Sequence, residues 1–370
     1  MKRVLAMITP VSHARIEGIS RYAHEHGWLL TIHDRLAGTP PGGGYDGVLV
    51  TLRSDERVAG FVRRMAKGGV PAVDLTIERP RMRLPRVISD HRAIGVLAGE
   101  HFKDCGFQSA AWFSTGWTNV HALRYAGLAE SLGSEPMKWV IPGEAETIRT
   151  LRAAAKPVSV LAYSEAEAVR LLHLCLAANL DVPDDVAILS IGDDPLITDN
   201  QPVPISCIRQ NFPQGGYEAA RLLDGLMRGR RPPPEPILIS PDGVTVRRST
   251  DTVANDDPLV RRTLLYIRDN LERPFGAKQV AAALGVSRSR LDKTFVARMG
   301  RPIGAEILDA RLRKARRLLL EGGRNVNEAA LQTGFGGAAY FVRKFKAAYG
   351  QTPHKWLRGG ASECSGVLFS

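Results

Sequence analysis

Two stretches near the end of the 370-residue chain repeat one spacing of residues, and that repeat restricts the fold more than any other feature. The first runs Gln279–Gly300 and the second Glu328–Gly350. Ala281-x-x-x-Gly285 recurs as Ala330-x-x-x-Gly334, 49 residues later. Leu291-x-x-x-Phe295-x-x-x-x-Gly300 recurs as Phe341-x-x-x-Phe345-x-x-x-x-Gly350, 50 residues later. The one-residue slip falls in a turn or at a helix start, where length changes are tolerated. Small residues at 281 and 330 let two helices cross closely, and the glycines suit a left-handed helix end. Ser287 is placed to cap the next helix. Leu291 and Phe295, like Phe341 and Phe345, sit four apart and anchor one helical face. Each stretch therefore predicts a helix, a turn and a second helix. The outward positions are Arg288, Ser289, Arg290, Asp292 and Lys293 in the first unit, and Ala338, Ala339, Tyr340, Arg343 and Lys344 in the second.

The charge distribution agrees. The chain carries 50 Lys+Arg against 38 Asp+Glu, a net +12. Residues 258–370 hold 21 and 8 of these, and residues 1–257 hold 29 and 30, so a basic segment of +13 follows a nearly neutral one of −1. A basic segment either displaces counterions from phosphate or merely keeps a surface soluble; two helix-turn-helix units in register favour double-stranded DNA as the partner. Leu259, Val260, Leu264, Ile267 and Leu271 form a leading helical face, and Leu308, Leu312, Ala315 and Leu319 a second stripe between the units. The helix between them carries Arg311, Arg313, Lys314, Arg316 and Arg317, read as a phosphate-side or solvated face rather than a base reader.

The first 250 residues have a different rhythm. Short apolar runs (Val4–Ile8, Trp28–His33, Tyr45–Thr51, Val70–Leu75, Ser109–Phe113, Val158–Ala162, Val186–Ile191) alternate with helical patterns (from Ile16, Val58–Lys67, Ile94–Cys105, His121–Leu132, Ala166–Ala178, Tyr217–Met227). This is the pattern of parallel sheets covered on both faces, as one large domain or two lobes. Ligands of such sheets bind beyond the carboxyl ends of the strands. Those ends are Thr9–His13, Ser114–Asn119, Ser164–Glu165 and Asp193–Asp194, with Trp112, Trp117 and Tyr125 nearby. Polar groups beside aromatic rings suit a small polyol or sugar. His13 and Trp112 enter the candidate set here, although Trp112, on an apolar strand, reads as core before ligand wall. The polar, aperiodic 251–257 reads as a linker, and 359–370 as a frayed tail.

Within this front part, Glu165-x-x-Ala168, Val182-Pro183-x-Asp185-Val186, Ile191-Gly192-x-Asp194, Gln210 and Gly216-Tyr217-Glu218-Ala219-Ala220-Arg221-Leu222-Leu223 resemble the ligand-binding core of LacI-type regulators and type 1 periplasmic binding proteins. Asp90, His101-Phe102, Gly106 and Arg124-x-x-Gly127 continue the match. The resemblance implies two α/β lobes around a hinged cleft over residues 1–250. Asp194 and Arg124 are then the main cleft groups, with Ser164 and Gln210 behind them. Ser164 stands where such families often carry Asn, Asp or Thr, and Glu165 where Asp is usual. LacI-type repressors carry a DNA-binding module ahead of this domain, whereas this sequence starts on the first strand.

Residues 258–358 resemble the AraC/XylS family DNA-binding domain. The second unit carries the likeness: Ala329-Ala330-x-x-x-Gly334-Phe335-x-x-x-x-Tyr340-Phe341-x-x-x-Phe345-Lys346-x-x-x-Gly350-x-Thr352-Pro353. That family sets two recognition helices in successive major grooves, about 34 Å apart. By this likeness Ser289, Asp292 and Lys293 meet the bases in the first unit, and Ala338, Ala339, Tyr340 and Arg343 in the second. Lys293 and Arg343 suit guanine O6/N7, while the alanines suit a thymine methyl or a close approach.

No P-loop, G-x-S-x-G or HExxH motif occurs, the nine histidines do not cluster, and Gly42-Gly43-Gly44 is not followed by a helix start. An enzyme, a metal site and a cofactor are therefore not expected. Four scattered cysteines and the lack of a signal or membrane segment fit the cytoplasm. The combined resemblances imply a sugar-responsive transcription regulator, an activator by preference, acting as a homodimer on DNA with RNA polymerase and controlled by a pentose such as xylose. A repressor, or a transport or chemosensory sugar binder, is the alternative.

Overall fold

The computed structural model describes residues 1–9, 12–33, 44–53, 56–107, 109–252, 257–320 and 325–359. Most of the expected 251–257 linker, Gly42 and Gly43, and the tail beyond residue 359 lie outside them.

The α/β part divides into two lobes, each built on a largely parallel sheet, with a separate two-stranded pair. The first lobe holds β1 (Arg3–Met7), α1 (His13–Glu25), β2 (Leu29–Ile32), β3 (Gly47–Val50), α2 (Glu56–Lys67), β4 (Ala72–Asp74) and β5 (Val87–Ser89). Its parallel sheet has the order β2-β1-β3-β4. The second lobe holds α3 (His91–Asp104), β6 (Ala110–Ser114), α4 (Asn119–Leu132), β7 (Met137–Val140), α5 (Glu144–Ala153), β8 (Val158–Ala162), α6 (Glu165–Ala177), β9 (Val186–Ile191), α7 (Pro195–Thr198) and β10 (Ser206–Arg209). The chain then returns to the first lobe as α8 (Phe212–Met227) and β11 (Ile237–Ile239), which pairs with β5. It ends in the second lobe as β12 (Gly243–Thr245), antiparallel to β10. The second sheet runs β12-β10-β9-β8-β6-β7. The lobes are thus tied by three crossings, after Ser89, after Arg209 and after Ile239.

Burial explains why these runs are strands. Every residue of β3, β8 and β9 is buried, as expected where helices cover both faces of a parallel sheet. Glycines set the helix spacing. A Cβ at Gly127 of α4 would strike the Arg92 carbonyl of α3, and one at Gly95 of α3 the Arg124 carbonyl of α4. Gly18 and Gly216 do the same for α1 and α8, against the carbonyls of Pro213 and Arg15. Several second-lobe elements lacked a sequence signal, among them β7, α5 and β10. β7 is an edge strand with two exposed residues of four, α5 buries only Thr147 and Leu151, and β10 opens on Ser206.

The remainder is helical: α9 (Pro258–Asn270), α10 (Ala277–Leu284), α11 (Arg288–Met299), α12 (Ile303–Leu320), α13 (Val326–Leu331), α14 (Ala338–Tyr349) and α15 (Pro353–Gly359). Val260, Leu264 and Ile267 of α9 pack with Ala281, Leu291 and Phe295 in one core, and Ala329, Ala330, Phe341 and Phe345 form another. The long α12 serves both, through Ile303, Ile307 and Ala310 on the first and Leu312, Ala315 and Leu319 on the second. Ser287 caps α11 by accepting from Arg290 N at 3.3 Å. Gly285 and Gly334 adopt φ of 69° and 67°. At Gly334 a side chain would also collide with the carbonyls of Leu271 and Arg273, so glycine is required there on two grounds.

Candidate functional site

A cavity of about 410 Å³ lies between the lobes, at the carboxyl ends of their strands. The first lobe contributes Thr9, Ser12, Arg15, Arg53, Thr76 and Glu78; the second contributes His91, Arg124, Tyr163, Ser164 and Glu165. Gln210 and Phe212 come from the crossing between β10 and α8. Of the sequence candidates, Arg124, Ser164 and Gln210 are therefore brought together. Arg124 is 5% exposed and donates to the Tyr163 carbonyl at 3.1 Å and to Gln210 Oε1 at 3.2 Å. Ser164 caps α6 through Glu167 N.

Asp194, Trp112 and His13 are placed differently. Asp194 is exposed and caps α7 by accepting from Leu196 N at 3.0 Å, and its charge reaches the cavity through its effect on Glu165. Its neighbour Asp193 is bound to Thr245 Oγ1 at 2.8 Å and to Arg247 at 2.9 Å. Trp112 is fully buried, with Nε1 donating to Ser114 Oγ at 3.0 Å. It meets His121 edge-on, and His121 stacks on Tyr163 at 3.8 Å. Trp112 thus supports an aromatic wall whose cavity-lining member is Tyr163. His13 opens α1 as an exposed residue and is absent from the cavity wall.

Composition gave no sign of Arg15, Arg53, Glu78, His91, Tyr163 or Phe212. Arg15 alone carried a usable signal, because Arg15-x-x-Gly18 repeats Arg124-x-x-Gly127. Burial lowers both arginines to a pKa of about 10. Burial, then Arg124 and Arg15, hold His91 well below the usual histidine range, so its ring is neutral.

The second site is the face of the two repeated units. α11 and α14 are both 12 residues long and start at equivalent positions, with Leu291 and Phe341 fully buried. Arg288, Ser289, Arg290 and Lys293 are exposed, and Asp292 is half-buried, 3.3 Å from Arg288. In the second unit Ala339, Tyr340 and Arg343 are exposed, with Ala338 and Lys344 half-buried. Lys293 and Arg343 are equivalent, each two residues after the buried anchor.

The basic side of α12 does not form part of this face, which corrects its reading as phosphate-facing or solvated. Arg313 is 3% exposed and donates to Asp104 of α3 at 2.8 Å. Arg316 pairs with Glu100, and Arg317 lies 3.5 Å from Asp104. Lys314 binds Glu272 at 3.1 Å, and Arg311 donates to the Arg273 carbonyl at 2.8 Å. The physical reason is that Glu100 and Asp104, four apart on α3, present two carboxylates where α12 docks. The same α3 starts at His91 on the cavity wall, so one helix of roughly 20 Å spans from cleft to helical domain.

Residues 89–250 match the model of the periplasmic binding protein-like domain, and residues 280–359 that of a helix-turn-helix domain. The chain joins these two domains. It is 34% identical over 197 residues to the xylose operon regulatory protein of Escherichia coli (strain K12), covering 53% of this chain and 50% of that one. To the protein of the same name from Haemophilus influenzae it is 30% identical over 206 residues, covering 56% and 53%. The chain thus spans about half the length of these relatives. A solved xylose-binding transcription activator aligns over 96% of this chain and 97% of its own, with a TM-score of 0.59 and 24% identity. A cellobiose complex of a transcriptional regulator aligns over 67% and 84%, with a TM-score of 0.54 and 21% identity. Both likenesses are likenesses of fold. Among the described residues no helix is long and apolar enough to cross a membrane.

Proposed function

We propose that this chain is a sequence-specific, DNA-binding transcription regulator, controlled by a small sugar or sugar derivative in the cleft between its lobes. The observation that carries the reading is α3, which lines the cleft with His91 and holds the helical domain through Glu100 and Asp104. A ligand that favours one lobe arrangement thereby favours one placement of α11 and α14, as linkage requires. The names of the two relatives make xylose the first neutral sugar to test, and the regulator is read as a cytoplasmic homodimeric activator rather than an enzyme. A homodimer places α11 and α14 on repeated half-sites, and activation adds RNA polymerase as a partner.

Selection of bound fragments from random DNA by the full-length chain, with and without sugars, tests this. Enrichment of a two-part site whose occupancy changes with a sugar supports it. Failure to enrich any sequence refutes it.

A further inference from the structure

Arg15 and Arg124 occupy equivalent places in the two lobes. Each stands three residues before a glycine, Gly18 or Gly127, that lets its helix touch a neighbour. Each also offers its own carbonyl to a glycine of that neighbour, Gly216 for Arg15 and Gly95 for Arg124. Each guanidinium lies over an aromatic ring, Arg15 over Phe212 at 4.5 Å and Arg124 over Tyr163 at 4.9 Å. One construction, used twice, therefore delivers one guanidinium from each lobe to the same cavity.

The charges around them do not balance. Arg53 lies 3.8 Å from Glu78. Among the described residues no carboxylate forms an ion pair with Arg15 or Arg124. Asp74, whose charge reaches Arg15, is fully buried and bound to Arg86 at 3.4 Å. Glu165 reaches Arg124 electrostatically but lays its carboxyl group against Gly192, where any Cβ would overlap it. Burial, with Asp194 and Asp193 beside it, raises the Glu165 pKa. Arg124 Nε has no hydrogen-bond partner despite its burial, and neither has His91 Nδ1. Four helices, α1, α3, α6 and α8, also begin at this cavity and direct their positive ends toward it.

We propose that the cleft selects a monosaccharide bearing an anionic group, whose charge bridges Arg15 and Arg124, over a neutral sugar. The inference rests on the reading of the cleft as a sugar sensor. The anion supplies the counter-charge that buried Arg124 and half-buried Arg15 lack, and because they come from different lobes, binding both draws the lobes together. Ser164, Gln210 and Thr76 line the same cavity as polar neighbours for the sugar's hydroxyls.

Calorimetry on the full-length chain with D-xylose, D-xylonate, D-glucuronate and glucose 6-phosphate tests it. Tighter binding of at least one anionic sugar than of D-xylose, by about tenfold or more, is expected. The carboxylate and phosphate arms then distinguish which anionic group is used. Arg15→Gln and Arg124→Gln should each erase that preference, while Arg15→Lys, keeping the charge, should retain part of it. Equal or tighter binding of D-xylose overturns the inference and leaves the sugar-sensor reading standing. Binding of none of the four overturns both.

Discussion

Arg313 of the helical domain donates to Asp104 of the second lobe at 2.8 Å, across 209 positions of sequence. The same guanidinium lies 2.5 Å from Asp309 and 3.6 Å from Glu306, both on its own helix, and these carboxylates hold it protonated against its burial. Removing one partner from a buried ionic cluster costs more than the pair is worth, because the remaining charges stay buried. Arg313→Ala is expected to destabilise the full-length chain by about 3–5 kcal/mol in urea denaturation. The salt dependence of DNA binding should not change; a slope lower by about 1 would put Arg313 on phosphate.

Arg343 projects from α14 at an exposed position equivalent to Lys293 on α11. Arg343→Ala is expected to weaken binding to a selected site by about 1–3 kcal/mol. Random DNA should lose far less. Equal losses on both would reassign the side chain from base edge to backbone.

Arg124 and Asp194 separate cleanly. Arg124→Ala should lower the affinity of any sugar that raises the thermal midpoint by roughly tenfold or more, since a hydrogen bond to a charged donor is lost. Asp194→Ala removes the cap of α7 and should cost about 1 kcal/mol of stability with little effect on that affinity. Calorimetry on both variants decides; a larger affinity loss from Asp194→Ala reverses the assignment.

Gly127 faces the Arg92 carbonyl with no room for a methyl group. Gly127→Ala should therefore force α3 and α4 apart and cost about 1–3 kcal/mol. Because α4 carries Arg124 and α3 carries Glu100 and Asp104, the variant should also weaken ligand binding. A variant with wild-type stability would show that the crossing is not tight.

His101 is buried and hydrogen-bonded to Thr250 Oγ1 at 2.8 Å, and burial lowers its pKa from 6.5 to about 4. Burial lowers His121 likewise to about 4. Below about pH 6.5 the unfolded chain binds protons that the folded chain refuses, so this contribution is complete above that pH and lost as pH falls toward about 4. Asp74, raised by burial to about 6, acts in the opposite sense. The thermal midpoint is expected to be lower at about pH 5 than at about pH 7.5, and His101→Gln should shrink that difference. An unchanged difference in the variant would rule out His101 as a contributor.

The helical domain was legible because its signals are local. Ala281, Gly285, Leu291 and Phe295 act within one helix-turn-helix, and their spacing survives in the second copy. Parallel strands such as Val158–Ala162 were legible as unbroken apolar runs, whereas edge strand β7 and the Ser-led β10 lacked that mark. In the cleft, Arg124, Ser164 and Gln210 were named through the resemblance to the LacI-type ligand-binding core. Tyr163, one residue before the named strand end Ser164–Glu165, and His91, at a helix start, were not.

Periodicity, repeat spacing and charge partition are properties of neighbours along the chain. They alone established an α/β region followed by a helical one, and the outward faces of α11 and α14. Distance across the chain is a property of packing. It brought Arg15 and Arg124 to one cavity, turned Trp112 into a support for Tyr163, and set Arg313 and Arg316 against Glu100 and Asp104. The basic helix that read as a phosphate-side or solvated face became a joint between domains because α3, whose Asp104 lies 209 positions before Arg313, presents carboxylates at helical spacing to meet it.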